Sequence, residues 1–153
     1  MNLQWHKWSV YVSTLGPIGY FPASGTVATL ITIPFVWWLN AVAPESLPYI
    51  GAVSIITCIS FFVISKALPF FETSEDPSEI VLDEVVGCLI VFWSIHLTTE
   101  SIIVGFILFR ALDIIKFGLV KKAEKLVAAW GVMGDDIVAA VISNIILRML
   151  FIS

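Results

Sequence analysis

The stretch TVATLITIPFVWWLNAVA at residues 26–43 decides the fold class, because it contains no charged side chain. A helix that crosses a bilayer needs about 20 predominantly apolar residues, within a range of about 17–25. The stretch has a suitable length, and its many Leu, Ile, Val, Phe and Trp residues with few turn-forming residues favour a helix. We therefore expect a membrane-embedded helix here.

Four further apolar runs follow along the chain, at 48–66, 80–97, 101–115 and 137–152. Several are short for a spanning helix, so we expect some to be re-entrant or buried within a bundle. The strands of an outer-membrane barrel would be segments of about 10 residues with alternating hydrophobicity, which the sequence lacks. The prediction is an all-α integral membrane bundle with about four to five membrane-embedded helices.

The overall composition supports this prediction. The 153 residues correspond to a single domain, 1–153, and 59% of them are hydrophobic. Ordinary globular proteins contain about 45–50% apolar residues. The net charge is −4 without a basic stripe, so nucleic acid is not an expected partner. Cys58 and Cys88 lack metal-site or C-x-x-C spacing, and we expect both to be small buried residues.

The charges between the apolar runs predict the orientation in the membrane. Lysines occur near the N-terminus, in the 66–80 loop and in the 116–136 segment, whereas the turns at 40–47 and 98–100 contain neither Lys nor Arg. The positive-inside rule places the three lysine-bearing regions in the cytoplasm. Five alternating spans satisfy this assignment and bring every acidic motif to the cytoplasmic face. The oligomeric state is not readable from the chain.

Half of the twelve acidic residues lie at or inside apolar segments. An ionised carboxylate away from water is costly unless it meets a cation, a metal or a hydrogen-bond network. These six residues are Glu79, Asp83, Glu84, Asp113, Asp135 and Asp136. Their placement indicates a site rather than a solvated surface.

The first acidic motif is DPSEIVLDEVVG at residues 76–87. Glu79 and Asp83 are four residues apart and would share one face of a helix, with Glu84 adjacent. Three neighbouring carboxylates resist ionisation unless a cation neutralises them, and hard oxygen ligands favour Mg²⁺. The alternative is a helix N-terminus, where acids interact well with the helix dipole.

The second motif is FRALDIIK at residues 109–116, in which Arg110, Asp113 and Lys116 line one side of an apolar helix. The planar fork of Arg110 suits a phosphoryl group, and Lys116 offers a point charge. Asp113 would orient Arg110 or join a metal site. A structural Arg–Asp pair between helices is the competing interpretation.

The third motif is WGVMGDDIVAA at residues 130–140, where Asp135 and Asp136 open the last apolar run. Adjacent residues point about 100° apart on a helix, so both serve one site only from a helix end or a bend. One of the two is alternatively an N-cap.

The fourth motif is PASGT at residues 22–26, preceded by Gly16, Pro17 and Gly19. A Ser/Gly/Thr turn that opens a helix exposes backbone N–H groups suited to an anion. Alone it is a weak signal, and an ordinary N-cap is the competing interpretation. The chain contains no C-x5-R loop, D-x-D-x-T motif, Walker loop or G-x-S-x-G motif.

Together these segments resemble the phosphatidylglycerophosphatase A family, in the family's order and spacing and over nearly the whole chain. The stretches that carry the resemblance are P-A-S-G-T-V-A-T-L (22–30), I-V-L-D-E-V-V-G (80–87), F-R-A-L-D-I-I-K (109–116) and G-V-M-G-D-D-I-V-A-A (131–140). The resemblance implies Mg²⁺-dependent hydrolysis of phosphatidylglycerophosphate to phosphatidylglycerol and phosphate. It also implies a multi-pass protein of the bacterial inner membrane, which agrees with a site that faces the cytoplasm.

The chain departs from the family pattern in turn-forming residues rather than in charged ones. Ser24 stands where the family usually has the proline of A-P-G-T, and Phe117 follows Lys116 where the family usually has K-P-x-P. The glycine-rich lead into the paired aspartates is reduced to Ala-Ala-Trp at 128–130. A divergent substrate is therefore an open alternative.

The residues and the resemblance together define a hypothetical site. The carboxylates expected to hold Mg²⁺ are Asp83, Glu84, Asp135 and Asp136, supported by Asp113 and Glu79. The groups expected to bind phosphoryl oxygens are Arg110, Lys116 and the backbone at Gly25 and Thr26. The expected catalytic residues are Asp83, Asp136 and Arg110. Attack by a metal-activated water and an aspartyl-phosphate intermediate are both compatible with this set.

Two other classes of function remain open at this point. Intramembrane carboxylates also mark ion pathways, so a small ion or metal carrier is one rival. Its acids would be spread through the membrane depth rather than gathered at one face. A lipid-binding subunit that keeps the fold without turnover is the other rival.

Overall fold

A computed structural model describes the backbone of residues 3–71 and 77–151, and side chains from residue 7 onward. Seven α-helices occur within these ranges, and no strand does. They are α1 (Leu3–Ser13), α2 (Ser24–Val42), α3 (Ser46–Ala67), α4 (Leu82–Val91), α5 (Thr99–Ile115), α6 (Leu119–Ala123) and α7 (Ala129–Leu150). The all-α prediction is confirmed. Most of the predicted loop at 72–79 lies outside the described residues.

Three helices of the described chain are long and apolar enough to cross a membrane. They are α2, α7 and the segment Ser46–Phe70, in which a 3₁₀ turn extends α3. The helix α5 has 17 residues and α4 only 10. The chain is therefore a membrane protein in which some embedded helices are short, as the run lengths predict.

The short helix α4 lies at the centre of the bundle and packs against α2, α3, α5 and α7. At about 1.5 Å per residue it is about 15 Å long, half the hydrocarbon thickness of a bilayer. The predicted run at 80–97 is thus helical only between Leu82 and Val91. After Val91 the chain turns back toward α5, which begins with a capping box formed by Thr98 and Ser101.

The carbonyl groups at the end of α4 are bonded by side chains of α7. Asn144 Nδ2 donates to Val91 O at 2.8 Å and to Trp93 O at 2.9 Å. Arg148 Nη2 also donates to Trp93 O, at 3.0 Å, and its guanidinium stacks over the Trp93 ring. Without such partners, carbonyls inside a membrane bundle would be costly. These bonds tie the inner end of α4 to α7.

Helix α7 begins at Ala129, eight residues before the predicted apolar run at 137–152. Asp135 and Asp136 still precede the apolar run, but they are inside the helix, so the alternative that one of them is an N-cap is wrong. Gly131 lies in the first turn of α7, and a Cβ atom there would overlap the carbonyl oxygen of Leu126. The absence of a side chain lets the first turn of α7 pack directly on the preceding loop.

The prediction for the two cysteines is correct for Cys88 but wrong for Cys58. Cys88 is fully buried, whereas Cys58 is exposed on the outer face of α3 beside Ile55, Ile59 and Phe62. A helix in a membrane is apolar on its lipid-facing side as well as on its packed side. Local hydrophobicity therefore does not distinguish a buried position from a lipid-facing one.

Candidate active site

Helices α4 and α7 bring three carboxylates into one group. One oxygen each of Asp83, Glu84 and Asp136 lies within 4.8 Å of the others. Asp83 and Asp136 are only 6% and 3% exposed. Asp83 and Glu84 occupy the first turn of α4, and Asp136 reaches them because α7 packs more extensively on α4 than on any other helix.

The chemistry of this group fits a divalent cation. Glu84 Oε2 and Asp136 Oδ1 are buried and accept no hydrogen bond from the described residues. Asp136 also faces the charges of Asp113 and Asp135, so negative charge accumulates around it. Buried carboxylates that repel one another need a neutralising partner, and hard oxygen donors match Mg²⁺ or a similar ion.

Arg110 of α5 lies beside the carboxylates and has an ion pair of its own. Its Nη1 atom is 2.7 Å from Asp113 Oδ2 and 3.7 Å from Glu84 Oε1. Its Nε makes no hydrogen bond within the described residues, although the side chain is only 13% exposed. The contact is compatible with the orienting role of Asp113, which stays a prediction, and the unbonded Nε leaves Arg110 with donor capacity beside the adjacent cavity.

Lys116 lies at the C-cap of α5 in the left-handed conformation, with φ of 47°. Its Nζ atom is 2.8 Å from Asp135 Oδ2 and 2.8 Å from Glu124 Oε1. The ammonium group therefore neutralises Asp135, which is not one of the three carboxylates that meet within 4.8 Å among the described residues. Sequence reasoning missed Glu124, because its place opposite Lys116 depends on the turn between α5 and α6.

The PASGT motif surrounds the N-terminus of α2. Ala23 precedes the helix in the left-handed conformation, and no side chain caps the first turn. The N-cap interpretation is therefore wrong for Ser24. This residue is helical, and its hydroxyl donates to Ser78 O at 2.7 Å. The backbone N–H groups before Val27 lie ahead of the first intrahelical bond, from Val27 N to Ala23 O.

These elements enclose two adjoining cavities. The larger, of about 500 Å³, is lined by the α2 N-terminus, Glu79, Glu84 and Arg110. The smaller, of about 200 Å³, contains Asp83, Glu84, Asp113, Lys116, Asp135 and Asp136. Glu84 borders both cavities and so joins the group of acids to the space beside Arg110. We call the larger one the headgroup cavity and the smaller one the acid cavity.

Glu79 takes a different place from the one predicted. Helix α4 begins at Leu82, so Glu79 lies in the preceding turn and does not share a helix face with Asp83. Its side chain lines the headgroup cavity, and it is not a member of the carboxylate group among the described residues. The expectation that Glu79 is part of a helical acidic face is therefore wrong.

Comparison with known proteins identifies the family. Residues 11–151 match the family model for Phosphatidylglycerophosphatase A. This chain belongs to the phosphatidylglycerophosphatase A family. It is 33% identical over 146 residues to Phosphatidylglycerophosphatase A of Escherichia coli (strain K12), which covers 94% of this chain and 81% of that protein. The match confirms the predicted family and the predicted enzyme class, a phosphatidylglycerophosphatase.

A second relative covers a smaller part of the chain. The Bacteroides thetaiotaomicron protein named "Putative phosphatidylinositol-3-phosphatase" is 40% identical over 78 residues, which is 49% of this chain and 49% of that protein. No solved structure matches the chain with significance.

Proposed function

We propose that this membrane protein hydrolyses the phosphate monoester of phosphatidylglycerophosphate, with Mg²⁺, to give phosphatidylglycerol and inorganic phosphate. One observation carries the proposal: three buried carboxylates from α4 and α7 meet beside the guanidinium of Arg110. An anionic group is excluded from such an acidic site unless cations accompany it. The site therefore suits a phosphate group whose negative charge is neutralised by a bound metal ion and by the Arg110 guanidinium.

Asp83, Glu84 and Asp136 are the residues that would hold the metal. Mg²⁺ in phosphoryl-transfer sites is bound by one or two carboxylates together with phosphate oxygens. When bound, such an ion supplies Lewis-acid polarisation of the phosphoryl group and a lowered pKa of water. Asp135 and Asp113 would act indirectly. Asp135 forms an ion pair with Lys116, and Asp113 forms an ion pair with Arg110.

Arg110 and the α2 N-terminus would bind the phosphate in the headgroup cavity. The guanidinium offers paired donors that match two phosphoryl oxygens. Gly25 and Thr26 line the same cavity in the first turn of α2, where the backbone N–H groups carry the positive end of the helix dipole. Lys116 borders the acid cavity, and its predicted direct contact with phosphate stays a prediction.

The carboxylates also offer a proton acceptor for the reaction. Asp136 Oδ1 accepts no hydrogen bond from the described residues and is positioned to take a proton from an attacking water. The water oxygen would then bond to phosphorus as the bond between phosphorus and the glycerol oxygen breaks, and the proton taken up by Asp136 would pass to the leaving glycerol oxygen. A carboxylate of the same group is the nucleophile in the alternative covalent route.

The lysine distribution supports a site that faces the cytoplasm. Lys66, the α6 lysines and the acidic motifs belong to the same predicted side of the membrane. We therefore propose that the enzyme acts at the cytoplasmic face of the bacterial inner membrane, where its product enters phospholipid synthesis.

Phosphate release by the purified protein tests the proposal. The assay uses phosphatidylglycerophosphate in detergent micelles, with EDTA and then with added Mg²⁺, and it includes phosphatidylinositol 3-phosphate because of the second relative's name. We expect Mg²⁺-dependent release from phosphatidylglycerophosphate and its loss in Asp83→Asn and Asp136→Asn. Glu100→Gln is the matched control, because Glu100 is exposed in the first turn of α5.

The rival functions make different predictions in the same preparation. A lipid-binding subunit would release no phosphate with any metal. An ion carrier would move Mg²⁺ or protons across vesicles, and Asp136→Asn would stop that flux. Unchanged phosphate release in both Asp variants would disprove the site assignment.

A further inference from the structure

A third cavity, of about 430 Å³, adjoins the headgroup cavity, because Tyr20 lines both. It lies between α1 and the two 3₁₀ turns, Ile18–Tyr20 and Leu68–Phe70. Ligand cavities in proteins usually measure about 300–1,000 Å³, so it is large enough for part of a ligand. We call it the α1 groove.

The walls of the α1 groove are apolar. Val10, Tyr11 and Phe70 provide aliphatic and aromatic surface. The hydroxyl of Thr14 is not directed to a ligand, because it donates to Gly16 O at 2.9 Å. The N–H of Gly16 likewise donates to Tyr11 O, at 2.7 Å. The groove therefore suits hydrocarbon better than a polar headgroup.

One cation and the exposed ring of Tyr11 border this apolar space, and the ring of Trp8 packs edge-on against Tyr11. Lys7 is part of the lining. Trp8 and Tyr11 are 65% and 58% exposed on the same helix. Lysine, tryptophan and tyrosine are typical of the level at which lipid headgroups meet acyl chains. The groove thus combines an apolar interior with a rim suited to an anionic lipid.

We propose that the α1 groove is the subsite for an acyl chain of the phospholipid substrate. The proposal rests on the proposed function, since it takes the substrate to be a lipid with a terminal phosphate. Such a molecule has a charged end and a hydrocarbon end. The headgroup cavity matches the charged end, and the groove that joins it at Tyr20 matches the hydrocarbon end.

A substitution that fills the groove tests the subsite. Val10→Trp places a large ring in the groove, whereas Val12→Trp on the same helix is the matched control, because Val12 does not line it. The substrates are diacyl phosphatidylglycerophosphate in micelles and its fully deacylated counterpart. We expect Val10→Trp to lower kcat/KM for the lipid about tenfold and to leave the deacylated substrate within about twofold. Equal effects on both substrates, or no effect on the lipid, would overturn the subsite.

A labelling experiment separates this proposal from the proposed function. Asp136→Asn protein is irradiated with phosphatidylglycerophosphate that carries a diazirine in one acyl chain, and the labelled peptides are mapped. Labels concentrated between residues 7 and 20 and at Phe70, and lost in Val10→Trp, support the subsite. Labels confined to the outer faces of α2 and α3 overturn it. If the wild-type protein releases no phosphate, the proposed function fails, while the labelling result still decides the subsite.

Discussion

Gly25 of α2 lies directly against the carboxylate of Glu84 on α4. A Cβ atom added to Gly25 would overlap Glu84 Oε1 and would come within 2.8 Å of Arg110 Nη2. A methyl group at Gly25 would therefore require the Glu84 carboxylate and the Arg110 guanidinium to move. Glu84 borders both the headgroup cavity and the acid cavity, so a shift of its carboxylate would change both.

Gly25→Ala is expected to lower kcat/KM about a hundredfold, because a displacement of about 1 Å in a catalytic group has effects of this size. Gly51→Ala is the matched control, since no described atom lies within 4 Å of a Cβ atom at Gly51. Both changes add one methyl group to a helical glycine. Phosphate release by the purified variants measures the difference, and equal activity of the two would contradict the contact.

Asp136→Asn is expected to stabilise the metal-free protein while removing its response to Mg²⁺. The substitution relieves repulsion in a buried acidic group, which we estimate at about 1 kcal/mol, or about 2–4 °C for a chain of this size. Added Mg²⁺ should raise the thermal midpoint of the wild type but not of the variant, because a ligand stabilises only the state that binds it. Glu100→Gln should respond like the wild type. A normal Mg²⁺ shift in Asp136→Asn would exclude Asp136 from the metal site.

Arg110→Lys is expected to lower kcat/KM about a hundredfold, because a single ammonium replaces paired donors to the phosphoryl oxygens. The Mg²⁺-dependent thermal shift should persist, since Arg110 is not one of the carboxylates that would hold the ion. Arg148→Lys is the control. Arg148 lies in the last turn of α7, where its guanidinium donates hydrogen bonds to Asn144 and Trp93. Activity close to that of the wild type in Arg110→Lys would argue against phosphate binding by this residue.

Lys116→Met is expected to destabilise the protein by about 3 kcal/mol, because it leaves the buried Asp135 carboxylate without its ammonium partner. Adding Asp135→Asn should recover more than half of that loss. Thermal unfolding of the two single variants and the double variant measures the coupling between the residues. The activity of the stabilised double variant then distinguishes two roles of Lys116. A normal kcat/KM would mean that Lys116 only neutralises Asp135, whereas a persistent loss of kcat/KM would mean that it also contacts the phosphate.

Asn144→Leu is expected to destabilise the protein by about 2 kcal/mol, because the carbonyls of Val91 and Trp93 lose donors at the inner end of α4. Asn40→Leu is the matched control and should cost less than about 0.5 kcal/mol. Asn40 Nδ2 bonds only Val36 O of its own helix in the described structure. Comparable losses in the two variants would mean that the end of α4 does not depend on α7.

Much of the fold and most of the candidate site are predictable from the chain alone. The apolar runs are local properties, so they predict helices without knowledge of their packing. The lysine distribution assigns the acidic motifs to one side of the membrane, and the structure does bring Asp83, Glu84 and Asp136 together beside Arg110. Membrane topology limits where distant segments can meet, and this constraint makes the prediction possible.

What each acid does within that group is a property of the tertiary structure. The sequence determined that Asp135 and Asp136 are adjacent and therefore point about 100° apart on a helix. Only the rotation of α7 on α4 decided that Asp136 faces Glu84, while Asp135 faces Lys116 and its unpredicted partner Glu124. Likewise, the sequence contains Gly25 and the apolar run at 80–97. The contact of Gly25 with Glu84, and the hydrogen bond from Asn144 to the last residue of α4, exist because packed helices fix distances that no local pattern encodes.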